Sequence, residues 1–301
     1  MSVHKTAIIG LGAIGMGMAQ SAHVAGLQTV GMDINPTAME SLAASGAGVA
    51  ETPAKAAAGV DSLAVVVVNA AQTETVLFGD NGAADTLPKG AVVLGCATVP
   101  ADTCRQIAAR VEERGLHYLD SPISGGAAKA ASGELTVMAS GAAVAFDRAK
   151  PFLDATSETV FDLGREAGQG STMKMVNQLL AGVHIATAME AVALGLKAGL
   201  NAQSIYDVIT RAAGNSWMFE NRVPRVIAGD YQPKSAAGIF TKDLGIVLSE
   251  AERLGVELPL AKTALSRYQA AADMGLKGED DAAVIKVYAA AAGIDLPEPV
   301  N

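Results

Sequence analysis

A chain of 301 residues, with 50% of them hydrophobic and 18% charged, can bury a large core, and its length points to two domains. The net charge of -9, with no basic stripe along the chain, excludes a phosphate-backbone partner, so nucleic acid is not expected. Only 4% of residues are aromatic while alanine is abundant, so small aliphatic side chains in helices and parallel strands should fill the interior.

Other classes fall away on local patterns. His4, His23, His117 and His184 show no ligand spacing, and no metal site is expected. Cys96 and Cys104 form neither a C-x-x-C pair nor a disulfide framework, which suits a reducing cytoplasm. The start, "MSVHKTAIIG", runs straight into a predicted strand without a leader-like pattern, so export is not expected. The longest apolar run, residues 179–189, falls short of the roughly twenty residues that span a bilayer, and no membrane partner is expected.

In chain order, short β-branched runs alternate with Ala-rich helical stretches as far as about residue 164, the rhythm of βαβ units and a parallel sheet. Strands are predicted at 6–9, 28–32, 63–68, 91–94, 118–121, 136–139 and 159–162, with helices between them at 14–25, 36–44 and 101–114. The unbroken "AVVVV" suits a strand buried on both faces. Beyond about Gly170 the strand signal stops. Helices are predicted throughout, with breaks near Gly199, Gly214, Gly229, Gly255 and Gly275. The expected fold is α/β: a Rossmann-type doubly wound parallel sheet over 1–166, then an all-helical domain over 167–301, joined by a long helix over about 171–198.

Three constellations carry chemistry. "TAIIGLGAIGMGMAQSAHVAG" sets Gly10, Gly12 and Gly15 as G-x-G-x-x-G directly after the first strand and at the mouth of a helix. The first glycine allows the tight turn, the second admits a diphosphate to the backbone, and the third lets helix pack on strand. Leu11, Ala13 and Ile14 complete that loop, whose N–H groups face the diphosphate. The second strand ends in Asp33, where an acid accepts hydrogen bonds from a ribose 2'-hydroxyl, and no Arg or Lys lies between it and Lys55. That pattern selects NAD over NADP. A plain βα turn and a helix-capping Asp33 are the bland alternatives.

In "LDSPISGGAAKAASGELTVMASG", Ser124, Gly125 and Gly126 offer a hydroxyl and backbone N–H groups at a strand end, suited to a carboxylate or simply to a turn. In "GQGSTMKMVNQLLAG", helical spacing puts Lys174, Asn177 and Gln178 on one side and Val176, Leu179, Leu180 and Val183 on the other. The polar side continues through Ala181, Ile185 and Ala188, so burial is expected there, and a lysine held away from water gives up its proton as a general acid/base must. Asn177 and Gln178 could orient it or bind substrate hydroxyls. Lys242 and Asp243, in "GIFTKDLGIVLSEAERLG", read on their own as a surface pair.

Together "GLGAIGMGMA", "DSPISGGAAKAASG", "GQGSTMKMVNQ" and "KDLGIV", in this order over nearly the whole chain, resemble the β-hydroxyacid dehydrogenase family. That family includes 3-hydroxyisobutyrate and 6-phosphogluconate dehydrogenases and tartronate semialdehyde reductase. The resemblance implies Lys174 as catalytic acid/base, and Ser124, Gly125, Gly126 and Asn177 as substrate holders. It implies Lys242 beside the cofactor, with Asn69 and Thr98 lining the nicotinamide side. Many members carry a second asparagine where this chain has Gln178, which turns the implied substrate toward a small polyhydroxy acid oxidised at C2. Reduction of tartronate semialdehyde, and a dinucleotide sensor without catalysis, stay open. The long apolar helix and the Ala-rich second domain suggest a homodimer or homotetramer.

Overall fold

The computed structural model describes residues 3–298, which fall into two compact units divided between Lys174 and Met175. The first is built on β1 (Lys5–Ile9), α1 (Ala13–Val24), β2 (Gln28–Met32), α2 (Pro36–Ala44), β3 (Gly48–Val49), α3 (Pro53–Ala57) and β4 (Ser62–Val65). It continues through α4 (Ala70–Phe78), β5 (Val92–Gly95), α5 (Ala101–Glu112) and β6 (His117–Asp120). The six strands lie in the order β3-β2-β1-β4-β5-β6, every pair parallel. Apolar clusters cover both faces: Leu63, Val65, Val93 and Ile107 on one, and Ile8, Ala64, Leu94 and Phe152 on the other. Burial on both faces is why these strands read as unbroken apolar runs.

The order reverses between β1 and β4, and that is where such sheets open a crevice at their carboxyl ends. The "AVVVV" run does not stay in the sheet throughout. β4 ends at Val65, and Val68 is exposed with its N–H taken by Gln72 Oε1 at 2.8 Å, because the chain turns there into α4. Asn69 caps α4, accepting from Gln72 N at 2.9 Å, just as Asn35 caps α2 with Pro36 at its first position.

The next strands depart from the expected single parallel sheet. β7 (Ile123–Ser124), β8 (Leu135–Ala139) and β9 (Ser157–Asp162) form a separate three-stranded sheet, flanked by α6 (Gly126–Ser132) and α7 (Ala143–Thr156). The chain reverses through Gly125 and Gly126, at φ +138° and +76°, so β7 meets β8 antiparallel, while β8 and β9 run parallel. A lone antiparallel bridge between Asp120 and Ser140 ties this sheet to the end of β6.

α8 (Gln169–Lys197) is a single helix of 29 residues. By length and composition alone it is long and apolar enough to cross a membrane, while its Ile185, Met189 and Val192 are fully buried against other helices. It outruns the apolar run read from the sequence because the helix takes in the polar residues on either side of that run, Lys174, Asn177 and Gln178 before it and Glu190 after it.

The second unit is helical: α9 (Ala202–Ile209), α10 (Trp217–Ala228), α11 (Gly238–Leu254), α12 (Pro259–Asp273) and α13 (Ile285–Ala292), with two short 3-10 turns before α13. α10, α11 and α13 stop on left-handed glycines, Gly229, Gly255 and Gly293. Ile185, Met189 and Val192 of α8 form its core with Phe219, Val223, Phe240, Leu244, Tyr268 and Ile285. Arg222 grips the fully buried Asp281 with two hydrogen bonds, of 2.6 and 2.9 Å, while Arg225 pairs with Asp280.

Candidate active site

The Gly10–Gly15 loop leaves the end of β1 with the geometry the spacing predicts. Gly10 has φ +96°, and a Cβ there would fall 2.3 Å from Val66 O. A Cβ on Gly15 would fall 1.8 Å from Gly10 O, so both positions exclude any side chain. Around Gly12 nothing lies within 4 Å of an added Cβ, which leaves the backbone open to a ligand. Asp33, at the end of β2, joins this loop by accepting from Leu11 N at 2.6 Å, while its other oxygen accepts from Asn35 N at 2.8 Å. It is therefore not the α2 cap, a role that falls to Asn35. Asn69 follows β4 and Thr98 follows β5, both past the carboxyl edge of the sheet on the far side of the reversal from Asp33.

Lys174 is 8% exposed and donates from Nζ to Ile123 O at 2.8 Å, so its ammonium lies at the residue preceding Ser124. This contact brings Lys174 together with the Ser124, Gly125 and Gly126 turn. An added Cβ at Gly126 meets nothing within 4 Å, so space remains over the turn.

Asp120 holds the start of α8 in place, a role not read from the sequence. Its carboxylate accepts from Gly168 N at 2.9 Å, Ser171 N at 2.8 Å, Ser171 Oγ at 2.8 Å and Ser140 Oγ at 3.3 Å. A buried carboxylate on the N-terminal N–H groups of a helix caps it and complements its dipole. Burial nonetheless outweighs these bonds and raises the Asp120 pKa. An acid ending an apolar strand, "YLD", was the available signal.

Farther along α8, Asn177 donates from Nδ2 to Gln178 Oε1 at 2.9 Å, and Gln178 donates from Nε2 to Asp243 Oδ2 at 2.5 Å. Asp243 Oδ1 meets Lys242 Nζ at 2.5 Å as an ion pair outside hydrogen-bond geometry. Asp243 is only 2% exposed, so the Lys242–Asp243 pair is not the solvated surface pair that its sequence suggests on its own. α11 comes this close to α8 because Gly182 has no side chain: a Cβ there would press on Phe240 and Leu244 at 3.0 and 3.1 Å. Asn215 donates to Glu220, and its Oδ1 is buried without a hydrogen-bond partner among the described residues.

Comparison with known proteins places the chain. A family model for the NAD-binding domain of 6-phosphogluconate dehydrogenase matches residues 5–164, and one for the NAD-binding part of NADP-dependent 3-hydroxyisobutyrate dehydrogenase matches 168–288. An L-threonate dehydrogenase of Pectobacterium atrosepticum is 49% identical over 99% of this chain and 97% of its own. The chain belongs to the β-hydroxyacid dehydrogenase family. An L-threonate dehydrogenase of Escherichia coli is 50% identical over 96% of this chain and 95% of its own. The crystal structure of a 3-hydroxyisobutyrate dehydrogenase from Salmonella typhimurium superposes with a TM-score of 0.91 at 49% identity, covering 94% of this chain and 99% of that one.

This member of the family is an NAD-binding dehydrogenase. The residues present fit the dinucleotide. The open face of Gly12 and the α1 N-terminus suit a diphosphate, and Asp33, with no arginine or lysine between it and Lys55, suits an unphosphorylated ribose.

Proposed function

We propose that this β-hydroxyacid dehydrogenase oxidises L-threonate at C2 to the 2-oxo acid, 2-dehydro-L-erythronate, with Lys174 as general acid/base. The observation that carries this reading is the buried Lys174 ammonium held at Ile123 O, beside the Ser124 to Gly126 turn. Support for the substrate comes from the relatives near 50% identity, which are L-threonate dehydrogenases. Bound NAD supplies the hydride acceptor, held by the Gly10 to Gly15 loop, Asp33, Asn69, Thr98 and Lys242. The turn at Ser124, Gly125 and Gly126 takes the substrate carboxylate through a hydroxyl and backbone N–H groups. Lys174 as the free amine takes the C2 hydroxyl proton while the C2 hydrogen leaves with its electron pair, so the C–O bond becomes a carbonyl. Asn177 engages a further hydroxyl, and Gln178 stands behind it.

With this reading go a dinucleotide domain over 1–166 and a substrate and assembly domain over 167–301, a cytoplasmic location suited to the two free cysteines, and a homodimer or homotetramer. For the oligomer, the support is an exposed apolar stripe on α8 at Met173, Val176, Leu180 and Leu194. Light scattering of Leu180→Asp should report a smaller assembly.

The test is NADH absorbance with a panel of C3 to C6 hydroxy acids and both NAD and NADP. Turnover of L-threonate with NAD, lost by at least about a thousandfold in Lys174→Ala with NAD binding intact, is the expected result. Turnover of glycerate or 3-hydroxyisobutyrate with none of L-threonate would overturn the substrate.

A further inference from the structure

The chain Asn177–Gln178–Asp243–Lys242 has a direction, and its charged end sets it. A carboxylate held in an ion pair with Lys242 has no proton to donate, so Asp243 accepts from Gln178 and Gln178 must present Nε2 to it. That leaves Gln178 Oε1, which can only accept, facing Asn177 and compelling Asn177 to donate from Nδ2. The amide of Asn177 is thereby fixed with Oδ1 outward, and among the described residues Oδ1 accepts no side-chain or capping hydrogen bond. Both ends of Gln178 are thus engaged, and it is 8% exposed.

We infer that Gln178 is a positioning residue, not a substrate contact, which transmits the polarity of Asp243 to Asn177 and commits Asn177 Oδ1 to accept from a substrate hydroxyl. This rests on the function proposed above and sharpens it. A hydroxyl at that position is recognised as a donor. A hydrogen, carboxylate or ether oxygen there leaves Oδ1 unpaired or repelled. An asparagine at 178 is one methylene shorter and cannot serve Asp243 and Asn177 together, so the glutamine gives this chain a selectivity that an Asn-Asn pair lacks.

The test compares L-threonate with its 3-deoxy and 4-deoxy analogues, 2,4-dihydroxybutanoate and 2,3-dihydroxybutanoate. For the wild type, kcat/KM should fall about ten- to hundredfold on one of the two. In Gln178→Met, of similar shape, and in Asp243→Asn, whose amide lets the chain reverse, that discrimination should collapse to within about threefold, and in Gln178→Met, which leaves the Lys242–Asp243 pair in place, NADH fluorescence should report unchanged cofactor affinity. Independently of substrate, a glutamine-labelled 15N spectrum should contain one downfield side-chain amide pair, absent in Gln178→Met and shifted in Asp243→Asn. Both variants discriminating like the wild type, or no such amide signal, would overturn the inference. A wild type inactive on L-threonate but with the amide signal in place would instead overturn the proposed substrate, and the discrimination would then be read with the deoxy analogues of the hydroxy acid it does oxidise.

Discussion

Replacing Asp120 by asparagine removes a charge and one acceptor atom while keeping shape. Four donors converge on the carboxylate, at 2.8, 2.8, 2.9 and 3.3 Å. Three of them, Gly168 N, Ser171 N and Ser140 Oγ, share Oδ2, so an asparagine oxygen standing there keeps these bonds as weaker neutral ones, while its NH2 faces Ser171 Oγ, which must turn to accept. Trading four bonds to an anion at a helix start for bonds to a neutral amide costs about 1 kcal/mol each, roughly 3–5 kcal/mol in all. Relief from burying the anion, whose pKa is raised by desolvation, offsets part of this, leaving a net loss of about 2–4 kcal/mol. For a unit of this size that lowers the melting temperature by roughly 4–16 °C. Function should suffer through α8, since Lys174 lies one turn beyond Ser171: kcat is expected to fall about tenfold, with KM shifted less than about threefold. Thermal melts, amide exchange at Gly168 and Ser171, and steady-state kinetics measure all three. A variant that melts within about 1 °C of the wild type, with unchanged exchange at those two amides, would refute the reasoning.

Further predictions concern the glycine loop, the thiols and the acid limb. Gly15→Ala forces a Cβ against Gly10 O and should lower both stability and NAD affinity, whereas Gly12→Ala meets open space and should melt like the wild type while losing NAD binding. Melting curves paired with NADH fluorescence separate the two. Burial pushes the Cys96 thiol up to about 12 and also raises Cys104, so neither should react with a disulfide reagent at pH 8 until the protein is unfolded. Burial alone would raise Asp280, but hydrogen bonds from Arg225 and from the backbone of Ala282 and Lys234 prevail and leave its pKa below the ordinary 3.8. A lowered folded-state value means stabilisation that is present above 3.8 and lost as pH falls through the folded pKa. The melting gap between wild type and Asp280→Asn should therefore be wider at pH 7 than at pH 3 and shrink further as the pH falls.

Much of the first unit was legible because its signals are local. G-x-G-x-x-G and the β-branched runs each act within a few residues, and β2 and α2 match their predicted bounds, whereas the caps at Asn35 and Asn69 were not read. The two-residue strands β3 and β7 carry no such signal, because only their partners, Val30 to Gly31 and Thr136 to Val137, define them. The separate three-stranded sheet was missed for the same reason, since pairing sense is set by the reversal at Gly125 and Gly126 and not by the composition of β8 or β9. Asp120 and Asp243 escaped assignment because their partners are distant: Ser171 lies 51 positions from Asp120, and Gln178 lies 65 from Asp243. A buried acid in sequence is indistinguishable from a strand end or a surface pair until those donors are brought to it.

α8 shows why the sidedness of a helix must be read together with its partners. The expected burial of the side that carries Lys174, Asn177 and Gln178 holds for two of the three, since Lys174 and Gln178 are each 8% exposed, while Val176 and Leu180 on the opposite side are 52% and 48% exposed. Burying an ammonium or an amide is costly unless a partner receives it, and each buried polar group here has one: Ile123 O for Lys174, and Asp243 for Gln178. Those partners come from β7 and α11, elements whose positions depend on Gly125, Gly126 and Gly182. The inverted helix is thus stable only where small residues let polar acceptors approach it. A bulky residue at Gly182 would remove the Asp243 contact as surely as mutating Asp243 itself.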